Sequence, residues 1–175
     1  MYQAHRLNNE VRTIQPYFTL STSLNYDVKL MSGSPISHFY SFIADRSEGE
    51  VFAVPDASID ILFLCDGERS KARLCGTTTT ARLVEIQQGK RYFGVRFQPG
   101  YIPHCVDVAS KNLVDAEYSL EEFFKEADEL IHALSHLQDI NDLSDCFMRY
   151  FSDCMAQRYS PFGLQIRELI THSQG

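Results

Sequence analysis

Gly94-Val95-Arg96-Phe97-Gln98-Pro99-Gly100 is an apolar run that carries one charge and ends in a Pro-Gly breaker, which stops a strand and turns the chain. Upstream, Pro55-Asp56-Ala57-Ser58-Ile59-Asp60-Ile61-Leu62-Phe63 sets carboxylates against a second strand-like run. Successive side chains of a strand point to opposite faces, so Arg96 faces away from Val95 and Phe97. A buried arginine in a strand needs a carboxylate partner, and Asp56 and Asp60 are at hand for a structural ion pair. The other reading puts the guanidinium in a cavity, where it grips a ligand carboxylate or phosphate with two parallel hydrogen bonds.

The flanking sequence repeats the strand pattern. Tyr17–Leu24, Tyr26–Met31, Ile36–Ile43, Glu50–Val54, Ile59–Cys65, Ala72–Cys75, Ala81–Gln87 and Tyr92–Phe97 read as short strands. Turn chemistry separates them: Ser32-Gly33-Ser34-Pro35, Asp66-Gly67, Gly76 with its threonines, and Gly89-Lys90. With no helix among them, they favour an antiparallel sandwich or barrel over a βαβ sheet. Ile59–Cys65 alternates only weakly, the mark of a strand covered on both faces.

After Pro99-Gly100 the period becomes helical. Ser119-Leu120-Glu121-Glu122 is a capping box, and Leu120, Phe123, Phe124, Ala127, Leu130, Ile131, Leu134 and Leu137 follow at helical spacing. A second helix is expected over Asp142–Arg158 with Leu143, Phe147, Tyr150, Phe151 and Cys154 inward. A third begins at Ser160-Pro161 and runs to His172, with Ser173-Gln174-Gly175 as its C-cap. The expected class is α+β: strands over residues 1–105, helices over 106–175.

The charge divides in the same way. The net charge is −7, yet residues 1–118 hold 12 basic and 13 acidic side chains against 4 and 10 in residues 119–175. The acidic helical part would repel a DNA duplex, so any DNA reading must come from elsewhere. No apolar run approaches the ~20 residues that span a bilayer, and the first residues lack a signal-peptide layout. The 5 cysteines form no Cys-x-x-Cys and read as reduced cytoplasmic thiols.

Roughly Ile36 to Phe124 resembles the N-terminal sensor half of AraC-type bacterial transcription regulators. The resemblance rests on Pro55-Asp56 followed by Asp60 and an apolar strand, Gly76 closing the next strand, the Gly94–Gly100 segment, and the Asp115 to Leu120 entry into helices. Leu164-Gln165-Ile166-Arg167-Glu168-Leu169-Ile170-Thr171-His172-Ser173-Gln174-Gly175 resembles the opening helix of that family's DNA-binding region. It implies a cupin-like, jelly-roll-like β-barrel that senses an effector, then a helical linker and dimerisation segment. It further implies a homodimer, no enzymatic activity of its own, and DNA contact only through helix-turn-helix units beyond this chain. A stand-alone small-molecule-binding module and a small cupin-type enzyme are the alternatives.

Arg96, Asp60, Phe63, Tyr92, Phe97 and Tyr101 are the candidate ligand residues, with Phe39 and Tyr40 as further lining aromatics. Each aromatic has core packing as its competing role. Phe123, Leu130, Leu134 and Leu137 are the candidate dimer contact, unless that stripe caps the barrel. No metal or other cofactor is expected, because His-x-His is absent; His132 and His136, one helical turn apart, read as a surface pair. No catalytic motif is present either, and Cys105 beside His104 is the one thiol with a neighbour that can activate it.

Overall fold

The computed structural model describes residues 26–44 and 52–155. Six strands form one antiparallel sheet: β1 (Asp27–Leu30), β2 (Ile36–Ile43), β4 (Asp60–Cys65), β5 (Lys71–Cys75), β7 (Arg91–Phe97) and β8 (Glu117–Ser119). Their spatial order is β1-β2-β7-β4-β5-β8. β3 (Phe52–Ala53) and β6 (Arg82–Leu83) pair as a separate ribbon. Two helices follow, α1 (Ala127–Ser135) and α2 (Ile140–Phe151).

Strand alternation sorts the side chains. Phe39, Ile61, Phe63, Leu74, Phe93, Val95 and Phe97 face one side, where Leu130, Leu134, Leu143, Phe147 and Phe151 of the helices cover them. Phe147 is the hub, with ring centroids 5.9 Å from Phe39, 6.1 Å from Phe63 and 4.7 Å from Phe151. Tyr40, Phe42, Leu62, Leu64 and Tyr92 face the other side. Both faces of β2, β4 and β7 are therefore covered, which is why Ile59–Cys65 alternates so weakly. Asp139 caps α2, its carboxylate accepting the amides of Asn141 at 2.8 Å and Asp142 at 3.4 Å.

Several expectations need correction. Among the described residues the sheet is not closed: β1 and β8 stand at opposite edges, so the architecture is a covered open sheet rather than a barrel. β8 was not expected; it follows residue 105 and joins the sheet beside β5. The capping box stands on a 3-10 turn, Leu120–Glu122, where the Ser119 amide donates to Glu122 at 3.1 Å. Contacts of 3-10 type, Phe123 to Leu120 and Ala127 to Phe124, carry the apolar stripe around a bend before α1 starts. α2 starts at Ile140 and gives way to a 3-10 turn at Ser152–Met155. The expected strand Tyr17–Leu24 and the helix from Ser160 lie outside the described residues.

Gly94 is fixed by its cross-strand neighbour. A Cβ there would sit inside the ring of Tyr40, which is itself buried and stacked on Tyr26. Gly94→Ala is expected to cost about 1–3 kcal/mol through overpacking, read from the urea midpoint.

Candidate functional site

Register places Arg96 of β7 opposite His38 of β2 on one side and Asp60 of β4 on the other. Arg96 is 6% exposed. Its Nε donates to Asp60 Oδ1 at 3.0 Å and Nη2 to Asp60 Oδ2 at 2.6 Å, a two-pronged grip. Nη1 donates to Asp56 Oδ2 at 2.7 Å. The other oxygen of Asp56 accepts the Ser58 amide at 3.0 Å, so one carboxylate shapes its own turn and holds the arginine. Burial alone would push the Arg96 pKa down; the charges of Asp60 and Asp56 outweigh it and hold the guanidinium above its ordinary value. Two carboxylates against one guanidinium leave the cluster with one excess negative charge.

The same pressures act on its neighbours. Burial, reinforced by the Arg96 charge, lowers the His38 pKa from 6.5 to about 4. Burial pushes Tyr26 up to about 12. A His38 that is neutral when folded but titrates near 6.5 when unfolded adds stability that is complete above pH 6.5. That contribution fades as pH falls from 6.5 toward about 4. His38→Gln is expected to flatten stability across that window, measured by urea unfolding at a series of pH values.

Beside the cluster, between the sheet and the β3–β6 ribbon, lies a small cavity of about 50 Å³. Tyr40, Asp56, Ser58, Asp60, Gly76, Thr78, Arg82, Arg96 and Glu117 contribute to its walls. Ser58 Oγ, Thr78 Oγ1 and Arg82 Nε are buried and have no hydrogen-bond partner among the described residues. Ser58 and Thr78 are 3% and 6% exposed, so these groups need polar company from within the cavity. Its size admits only a few water-sized groups.

A second cavity of about 240 Å³ lies on the same sheet face, lined by Leu62, Leu64, Lys71, Arg73, Glu85, Ile86, Gln87 and Tyr92. Leu62 borders both. Arg73, on the second cavity, donates to Glu117 at 2.8 Å; Glu117 also pairs with Arg82, and both of these line the first. An ionic bridge from β5 through β8 to β6 thus separates the two spaces. The Tyr92 hydroxyl accepts the Gln87 amide at 2.7 Å.

The six candidate ligand residues do not meet in one site. Arg96 and Asp60 border the first cavity, with Tyr40 beside them, and Tyr92 borders the second. Phe63 and Phe97 point to the opposite face, into the core with Phe39, because each sits an odd number of positions from the cavity-facing residues of its strand. Tyr101 stacks on Phe97 at 5.6 Å, beyond the end of β7. Leu130 and Leu134 are fully buried against the chain's own sheet, and Phe123 and Leu137 pack on the same core. That stripe covers the sheet.

The remaining candidates hold no reactive arrangement. His132 and His136 are exposed and meet edge to face at 4.8 Å, and among the described residues no three His, Cys, Asp or Glu side chains form a metal-binding group. Burial, then hydrogen bonding with Cys154, pushes the Cys105 thiol up, opposite to an activated nucleophile. No described helix is long and apolar enough to cross a membrane.

Sequence reasoning missed Ser58, Thr78, Arg82 and Glu117. The threonine run Thr77–Thr80 carried the signal for one of them, a buried hydroxyl within an otherwise turn-like stretch.

Among curated proteins and solved structures no significant match is found. Residues 34–119, from the turn before β2 to the end of β8, match the family described as Domain of unknown function (DUF6597).

Proposed function

We propose that this chain is the sensing part of an AraC-type transcription regulator, with a small polar effector held between the sheet and the β3–β6 ribbon. One observation carries this reading: the separate sequence segments behind the family resemblance converge on one cavity. Asp56, Asp60, Gly76 and Arg96 all border it. The effector is neutral and hydroxyl-bearing rather than a carboxylate. The Arg96 fork is already committed to two aspartates, whereas the Ser58 and Thr78 hydroxyls and Arg82 Nε await partners.

Signalling on this reading is a population shift. An effector that breaks the Arg73–Glu117–Arg82 bridge joins the two cavities and frees β8, which leads directly into the capping turn and α1. DNA contact would come from helix-turn-helix units outside residues 1–175, in a dimer whose two-fold symmetry matches paired half-sites.

Calorimetric titration with small neutral polyols and with carboxylates of matched size tests the effector class. Saturable binding of a polyol, lost in a Ser58→Ala/Thr78→Val double variant that unfolds normally, is the expected result. Binding of carboxylates alone, unaffected by that variant, would overturn it.

A further inference from the structure

We propose that a third cavity, at the end of the sheet where the segments before β4 and after β5 and β7 meet, binds a small apolar carboxylate with Lys111 as its counter-charge. The cavity measures about 390 Å³, within the roughly 300–1,000 Å³ of typical small-molecule sites. Ile59, Tyr101, Ile102, Leu113 and Val114 give it apolar walls. Its cation comes from Lys111, on the short 3-10 turn Ser110–Leu113.

The charge pattern selects the ligand. Among the described residues no acidic one lines the cavity and Lys111 makes no ion pair. Carboxylates are close in sequence, yet they are turned away. Asp56, Ser58 and Asp60 line the cavity beside Arg96, while Ala57 and Ile59, alternating with them, line this one. A cation above apolar walls suits an anion with an apolar body, held by burial of that body and oriented by one charge pair.

The backbone supports a built pocket. Ala57 holds φ at 60°, a left-handed conformation that few alanines adopt. The Gly100 amide donates to the Ala57 carbonyl at 2.9 Å, tying the two opposed segments together. Strain of this kind persists where the surroundings enforce it, and it gathers at ligand sites. The inference stands whether or not the chain belongs to a regulator.

The test is a titration of the 175-residue chain with octanoate, followed by backbone amide shifts and heat, with 1-octanol as the uncharged counterpart. Saturable octanoate binding that moves the amides of Ile59, Leu113 and Val114 is expected. Lys111→Glu should weaken octanoate by about three- to tenfold and leave octanol unchanged. Val114→Trp, which fills the hollow, should abolish both without lowering the thermal midpoint. Absence of saturable octanoate shifts at millimolar concentration would overturn the proposal. So would equal loss of octanoate and octanol in Lys111→Glu. If Val114→Trp changes sedimentation but not octanoate uptake, the hollow is a contact between copies and the proposal fails.

Discussion

Arg96→Met is expected to cost the domain about 3–5 kcal/mol, a large share of the roughly 5–15 kcal/mol that holds a typical domain together. The loss does not measure the worth of the ion pairs. It arises because Asp56 and Asp60, 12% and 15% exposed at the side chain, keep their charges without a partner. Removing those charges as well should therefore restore much of the stability, so Arg96→Met/Asp56→Asn/Asp60→Asn is expected to unfold well above Arg96→Met in urea. In the single variant the stranded carboxylates are pushed up, and a raised pKa imposes its penalty above that pKa. Its deficit should shrink as the buffer is acidified through the carboxylate range. Arg96→Lys keeps the charge but loses the fork and should fall between. A wild-type urea midpoint for Arg96→Met would show that the cluster is not structural.

Phe147→Ala should cost about as much, roughly 3–5 kcal/mol, by a different route. Its ring sits where α2 meets the sheet, against Phe39, Phe63 and Phe151, and is completely buried. Truncation leaves a hole between sheet and helix that neither element can close by shifting, since Phe39 and Phe93 are stacked behind it at 5.9 Å. The measured quantity is the urea midpoint, with an unchanged slope if the folded state stays intact. A loss below about 1 kcal/mol would mean that the helices are loosely docked and that the sheet does not depend on them. That outcome would reopen the apolar stripe of α1 as a surface for a second copy.

How much of this was legible in the sequence depends on length and periodicity. β2 is recovered at both ends, and β4, β5 and β7 to within a residue: β2, β4 and β7 are apolar, aromatic-bearing runs bounded by turns, and β5 is a short alternating segment between two turns. β8 was not, since Glu117–Ser119 is three residues long and is recruited by pairing with β5 rather than by its own propensity. The stripe Leu120 to Leu137 was correctly apolar on one side, but spacing alone does not separate a continuous helix from a 3-10 turn, a bend and a shorter helix. The absence of closure was equally hidden: strand count says nothing about whether edges meet.

The site divides on the same lines. Pairing of Arg96 with Asp56 or Asp60 was readable as one of two alternatives, because a buried strand arginine needs a carboxylate; that both aspartates hold it and none of its fork is left for a ligand came from the fold. Which aromatics face the cavity required the strand register, and Phe63 and Phe97 fell on the far side from Tyr92. Ser58, Thr78, Arg82 and Glu117 come from four segments of ordinary polar composition, and only the fold brings them together.

The most direct test is DNA binding by the polypeptide of the complete reading frame, followed by fluorescence anisotropy on the DNA upstream of its own coding sequence. Sequence-specific, salt-sensitive binding at about 10 nM or tighter is expected, with residues 1–175 alone giving none. No preference for that DNA over a random competitor would contradict the regulator reading and leave a stand-alone binding module in its place.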